Sequence, residues 1–505
     1  MTLVDLIDQH LEKFGEIPTV AFSDCVYTNR QLISSANQLA HGLLKKGIKP
    51  KDRIVVMLRN SPDVIICYQA ILRVSAVVVP VLFLLDENEV AHILESSQAT
   101  AVITDKEHLD LIKAASKKVK SVEHFMITGD EEVSGSLNLN QIMGMPSVER
   151  PDVPLQEDYM AFILYTSGTT GDPKGVILTH KNLVSNAISA SKLNIERKTE
   201  DVDLLILPMS HSFGLMVMHI GYLYSNLTVM MPWFEVEEAC KLIEKYRVTN
   251  VAAVPTVFSM ILNNPKITAK YKLTSLSECA SGAAPLPTDV MEEFEKKFGC
   301  KIYQGYGLSE AGPMLISHYR KKPRKPGSIG QEVPNVELKI VDENDEEVGF
   351  DEVGELIAHG PSISPGYYNL PEVTKYTFRD GWLHTGDMVK MDEDGYFFLV
   401  DRKKDVIIRG GFNVIPRDIE DIIMRHPSVS DVAVVGTPDR IMGEEIKAYV
   451  ALNPHLNADE EEIIEHCKDY LADYKCPKQV QFIKTVPRNA IGKLLRKKLR
   501  NHELI

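Results

Sequence analysis

Hydroxyls, glycines and one lysine crowd together after a strand-like run that starts at Ile163. Thr166, Ser167, Gly168, Thr169, Thr170 and Gly171 follow Tyr165, and Lys174 closes the cluster. Glycine lets backbone N–H groups come close to a polyphosphate, hydroxyls add donors, and lysine adds positive charge. The spacing is not that of a Walker-type loop, which places four residues between its glycines and then Gly-Lys-Ser/Thr. An ordinary polar surface loop accounts for the glycines alone. It does not account for hydroxyls, glycines and lysine meeting directly after a strand.

Further clusters carry chemistry at a distance. Tyr303 to Pro313 contains Gly305, Tyr306, Gly307, Leu308, Ser309 and Glu310. Tyr306 suits stacking on a base, and Glu310 suits holding Mg²⁺ on a phosphate; a tight strand-to-helix turn explains the same residues. Gly282, Ala283, Ala284 and Pro285 form a small-residue turn that lets backbone approach a flat ligand, or serves as a plain turn. His211 and Phe213 stand in an otherwise apolar run, as a core histidine or as the lining of a cavity for an apolar acid. Asp387, in a Thr-Gly-Asp turn, offers a carboxylate to ribose hydroxyls or simply to solvent. Lys493 follows Gly492 near the C-terminus, where its charge could assist a carboxylate attacking phosphorus. Neither a metal-ligand cluster nor a Ser-His-Asp or Cys-His signature stands out, so phosphate chemistry is favoured over a protein nucleophile.

These clusters need a scaffold of more than one domain, because single cores stop growing at roughly 250–300 residues and this chain has 505. Composition is that of a globular protein, with 44% hydrophobic and 25% charged residues. The net charge of −14 argues against nucleic acid as a partner. Seven scattered cysteines without a CxxC pair suggest reduced thiols. The acidic, amphipathic N-terminus lacks signal-peptide features, and the longest apolar run, about a dozen residues near 74–85, is too short to span a membrane. A cytoplasmic protein is expected.

Strand-like segments at 53–58, 76–82, 204–208, 251–254 and 301–306 alternate with helix-like ones at 31–46 and 88–95, which favours an α/β fold with largely parallel sheets. The texture turns to short β segments at 336–341, 354–359 and 396–400. A charged cluster at 401–405 precedes about 100 residues that read as a small α+β domain: a helix from Pro416 to about 425, strands at 432–436 and 448–452, and a helix over 460–473. The expected organisation is a large domain over 1–401, made of two α/β subdomains and a small β-rich one, followed by a mobile domain over 402–505.

Taken in order, these clusters resemble the adenylate-forming superfamily of acyl-CoA synthetases, carrier-loading adenylation domains and firefly luciferases. The YGLSE, WLHTGD and DRKKD runs, the phosphate loop and Lys493 carry the resemblance, and LPMSHSFG and GPSISPGYYNLPE point to bacterial fatty acid–CoA ligases. The resemblance implies ATP, Mg²⁺ and CoA as reactants. Carboxylate attacks the α-phosphate to give acyl-AMP and pyrophosphate, then the CoA thiol displaces AMP. It assigns Thr166 to Lys174 to the β- and γ-phosphates, and Thr166 and Glu310 to the Mg²⁺ side. Gly282 to Pro285 and Gly305 to Ser309 fall to the adenine, Asp387 and Arg402 to the ribose, and Lys493 to adenylation. His211 and Phe213 match the acyl pocket and its thiol-side entrance, with Val257, Phe258, Gly305 and Met314 as further pocket candidates. Lys404 matches a hinge and Gly410 and Gly411 the pantetheine side. The expected acid is a medium- or long-chain fatty acid. An aromatic or alicyclic acid, or loading of a carrier protein, are the alternatives, and a homodimer is a possible assembly.

Overall fold

The computed structural model describes residues 1–166, 173–193, 197–403, 405–410, 412–440, 442–488 and 494–500. They form two compact units, one of residues 1–338 with 358–383, the other of 339–357 with 384–505.

The first unit is built on two large sheets flanked by helices. The seven-stranded sheet holds Arg53–Met57, Val77–Pro80, Ala101–Thr104, His124–Ile127 and Leu137–Asn138 in parallel pairs, and ends in the antiparallel hairpin of Met160–Thr166 with Lys174–Thr179. All four residues of Val77–Pro80 and of Ala101–Thr104 are buried, as expected for strands covered on both faces. In the nine-stranded sheet, Leu227–Met230, Val202–Leu205, Asn250–Ala253, Glu278–Ser281 and Lys301–Gly307 are parallel neighbours in that order. One face packs Leu204, Val251, Cys279 and Ile302 against helices Val236–Tyr246, Pro255–Leu262 and Thr288–Phe298.

Helix starts follow local chemistry. Thr28, Asp86 and Thr179 each cap a helix with the side-chain oxygen while the residue three further on, Gln31, Glu89 or Asn182, reaches back to the cap's backbone N–H. The helices expected over 31–46 and 88–95 are accordingly Asn29–Lys45 and Glu87–Ser97.

In the second unit, residues 387–391, the end of the strand Trp382–Met391, pair antiparallel with Phe397–Arg402. A further sheet joins Ile407–Arg409, Phe412–Val414, Val429–Asp439, Gly443–Leu452 and Gln479–Phe482, with Pro416–Ile423 and Glu460–Lys468 as its helices. Two expectations change here. The strands expected at 432–436 and 448–452 are halves of one long hairpin, because its outer residues continue the pairing down to Asp439 and Gly443. The helix expected to run to 473 stops at Lys468.

Six of the seven cysteines are buried, Cys25 is exposed, and all are free thiols. Among the described residues no helix is long and apolar enough to cross a membrane.

Candidate active site

The hairpin brings the two ends of the phosphate-loop motif together, with Thr166 directly opposite Lys174. Ser167, Gly168, Thr169, Thr170 and Gly171 lie outside the described residues. The segment 364–368 is laid along this hairpin: the Ile177 N–H donates to the Gly366 carbonyl at 3.0 Å, and the Tyr368 N–H to that of Gly175 at 2.8 Å. Tyr367 is thereby buried between two of the expected site residues. Its hydroxyl donates to Glu310 Oε1 at 2.8 Å, and Lys174 Nζ sits 5.6 Å from the centre of its ring. The backbone N–H of Ser364 also donates to the Glu310 carbonyl at 2.8 Å. A hydrogen bond to a carboxylate contributes about 1.5–3 kcal/mol, and a cation over a ring about 0.5–1 kcal/mol at an exposed site. Burial, then the nearby Glu310 charge, holds the Tyr367 hydroxyl's pKa well above its ordinary value, so it stays a donor. Tyr367 was not singled out from the sequence as a site residue, although it lies inside the GPSISPGYYNLPE run.

Glu310 belongs to a short 3₁₀ turn, Ser309–Ala311, directly after the strand Lys301–Gly307. The return past Gly307 is so tight that a Cβ there would lie 2.0 Å from the Pro313 carbonyl oxygen. The Leu308 N–H donates to that oxygen at 3.1 Å, and the Ser309 and Ser212 hydroxyls pair at 3.2 Å. The turn after the neighbouring strand Glu278–Ser281 supplies Gly282 and Ala283, the latter in the left-handed region at φ 69°. Gly282, Ala283, Gly305, Tyr306 and Gly307 all border one cavity, whereas Ala284 and Pro285 do not.

His211, Phe213 and Met314 line the same cavity. His211 caps the helix Ser212–Gly221, its Nδ1 accepting from the Phe213 N–H at 3.3 Å. Phe213 lies against the Gly282 turn, where a Cβ would come within 3.3 Å of its ring. Val257 and Phe258 are a correction. Both are buried on the opposite face of the sheet, Phe258 edge-on to Phe294 at 5.0 Å. The helix that starts at Pro255 carries them into that core rather than towards the cavity.

The far end of the cavity holds charged residues that the sequence did not flag: Arg197, Asp203, Glu278 and Arg320. Arg197 Nη1 meets Asp203 Oδ1 at 2.5 Å, and Arg320 Nε meets Glu278 Oε2 at 3.2 Å. Burial raises the Asp203 pKa despite its partner and lowers that of Arg320. For the two acids a signal was available, since Asp203 and Glu278, like Asn250, are polar residues at or next to the starts of largely apolar parallel strands.

Asp387 is buried in the second unit, directly paired with Arg402 along the antiparallel strands. The Thr-Gly-Asp turn expected there is instead part of the strand Trp382–Met391, with Gly386 taking φ 70°. The Asp387 N–H donates to Thr385 Oγ1 at 3.1 Å, and that hydroxyl donates to the Leu356 carbonyl at 2.7 Å. Gly410 also takes a left-handed φ of 59°. Lys404, Gly411 and Lys493 lie outside the described residues. Among the described residues no three His, Cys, Asp or Glu side chains cluster as a metal site.

Two family models match the chain: the AMP-binding enzyme model over residues 7–368 and the AMP-binding enzyme C-terminal domain over 418–493. The long-chain-fatty-acid–CoA ligase of Bacillus subtilis is 34% identical, over 99% of this chain and 94% of that protein. The 4-coumarate–CoA ligase 1 of Petroselinum crispum is 35% identical, over 97% and 93%. Among solved structures, ATP-bound MatB from Rhodopseudomonas palustris superposes with a TM-score of 0.90 at 29% identity, covering 99% of both chains. The chain belongs to the AMP-binding enzyme family, within the adenylate-forming superfamily. It is an ATP-using, AMP-forming acid–thiol ligase of the acyl-CoA synthetase class.

Proposed function

We propose that this enzyme activates a medium- or long-chain fatty acid as its adenylate and passes the acyl group to CoA in the cytoplasm. The observation that carries this reading is the cavity that Phe213, Met216, Val217, Ile220 and Met314 line with apolar side chains. It borders Gly282, Tyr306 and Gly307, the residues assigned to the adenine side. An acid lying there carries its carboxylate towards the nucleotide and its hydrocarbon body into apolar surroundings, which favours burial of the chain.

Most of the catalysis asked of the protein is positioning and charge stabilisation. Lys174 and the hydroxyl loop hold the phosphates that depart, and Thr166 stands beside them. Asp387 and Arg402 orient the ribose. Lys493 neutralises charge as the carboxylate attacks the α-phosphate. Glu310 is a single carboxylate with one oxygen occupied by Tyr367, a donor set that suits Mg²⁺ held chiefly by phosphate oxygens and water. Bound there, the ion would offset phosphate charge. Lys404 serves as the hinge on which residues 402–505 move Lys493 out and the Gly410 and Gly411 segment in, so both half-reactions use one site. His211 stands at the thiol-side entrance.

Acid-dependent ATP–pyrophosphate exchange across straight-chain, aromatic and alicyclic acids tests the acid class, and thioester formation with free CoA or with a phosphopantetheine carrier tests the acceptor. Straight-chain acids should turn over fastest, and free CoA should accept the acyl group. Faster exchange with aromatic acids would overturn the first expectation. Product with the carrier alone would overturn the second.

A further inference from the structure

The cavity-facing side of the nine-stranded sheet is graded along the strands. Asp203, Asn250 and Glu278 lie side by side in register, and two residues further on Leu205, Ala252, Ala280 and Tyr303 form the next row. The two alanines leave room above the sheet. Gly282 and Gly305 then open the cavity towards the nucleotide side. Gly282 lies four residues beyond Glu278, about 13 Å along a strand rising about 3.3 Å per residue. A medium-length acyl chain spans that distance, and its far end meets the polar row.

The polar row is a poor seat for a methyl group. The Arg197 and Asp203 side chains are only 15% and 18% exposed, and Arg320 only 12%. Arg197 Nε is buried with no hydrogen-bond partner among the described residues. A methyl terminus would cover these groups without replacing the hydrogen bonds of water, which costs free energy. An oxygen would accept from a guanidinium that has donors to spare. The two guanidiniums and two carboxylates cancel in formal charge. A second carboxylate on the ligand would therefore be repelled by Asp203 and Glu278 while it is drawn to the arginines, whereas an uncharged hydroxyl or carbonyl escapes that repulsion.

We infer that the floor formed by Arg197, Asp203, Glu278 and Arg320 recognises a neutral oxygen at the far end of the acid, making ω-hydroxy or oxo medium-chain acids the preferred substrates over plain alkyl acids. The inference rests on the reading that this cavity holds the acyl group, and it narrows that reading.

The test measures kcat/KM for CoA-thioester formation by the full enzyme with decanoate, ω-hydroxydecanoate and the matching dicarboxylate. The ω-hydroxy acid should exceed decanoate by about tenfold, the scale of one hydrogen bond to a charged group, and should also exceed the dicarboxylate. Arg197→Met should bring the ω-hydroxy to decanoate ratio to about one. The paired variant R197M/D203L should do the same without leaving Asp203 unpartnered. Equal or faster use of decanoate by the unaltered enzyme, or a preference that survives both variants, would overturn the inference while leaving the cavity as the acyl site. Ala280→Phe, placed midway along the cavity, separates the two levels. A shift to shorter acids supports the acyl cavity, and an unchanged chain-length profile overturns that reading together with the inference.

Discussion

Tyr367 ties the loop lysine to the acid expected at Mg²⁺. Its hydroxyl is the donor that orients Glu310, and its ring lies beneath Lys174. Tyr367→Phe keeps the ring and removes only the donor. It should lower kcat/KM for Mg-ATP by about ten- to a hundredfold, the scale of losing a hydrogen bond to a charged group, and lower Tm by a few degrees at most. An unaltered Mg-ATP dependence would show that the contact does not orient Glu310. At this scale the sequence was legible where a residue's chemistry is rare in its surroundings. Lys174 among hydroxyls and glycines and Glu310 after a turn both stood out. Val257 and Phe258 were misassigned because an apolar residue looks the same facing a cavity or a core. Arg197 and Arg320 were missed because a lone arginine is usually a solvated side chain.

The helix His180–Ser191 shows how an element couples to its neighbours. His180 is almost fully buried, and its Nδ1 accepts from the Leu3 N–H at 3.2 Å, which fastens the N-terminal helix Leu3–Phe14. Burial lowers its pKa from 6.5 to about 4, and that of His219 to about 3. Because these folded-state values are depressed, the unfolded chain takes up protons first on acidification. Stability is therefore complete above pH 6.5 and falls as pH drops towards 4, by about 3 kcal/mol for His180 alone. Denaturant unfolding at stepped pH should record that fall, and His180→Gln should flatten part of it. A variant with the same pH slope would remove His180 from this role. Strands and helices were themselves legible, since buried parallel strands read as continuous apolar runs and helices as capped, periodic ones. Their ends were less so. The hairpin Val429–Asp439 with Gly443–Leu452 extends past its apolar centre because paired backbone, not side-chain pattern, sets its length.

For the whole molecule, the proposed exchange of the 402–505 domain between two poses makes a test that separates the half-reactions. Lys493→Ala should abolish acid-dependent exchange, yet leave thioester formation from supplied acyl-AMP largely intact. Equal damage to both half-reactions would rule out the two-pose account. The family, the ATP chemistry and the α/β class with a large and a small domain follow from the sequence alone, because they depend on residue types at spacings that local backbone geometry dictates. The proposed phosphate loop is such a case: its glycines, hydroxyls and lysine stand next to one another in the chain itself. What only the tertiary structure decided is which distant residues share a surface. It brought Tyr367 to Glu310, moved Phe258 into a core, and lined Asp203, Asn250 and Glu278 across three strands at the bottom of one cavity. Strand order and register create those neighbours, and they are set by packing between segments far apart in the chain, which no local spacing records.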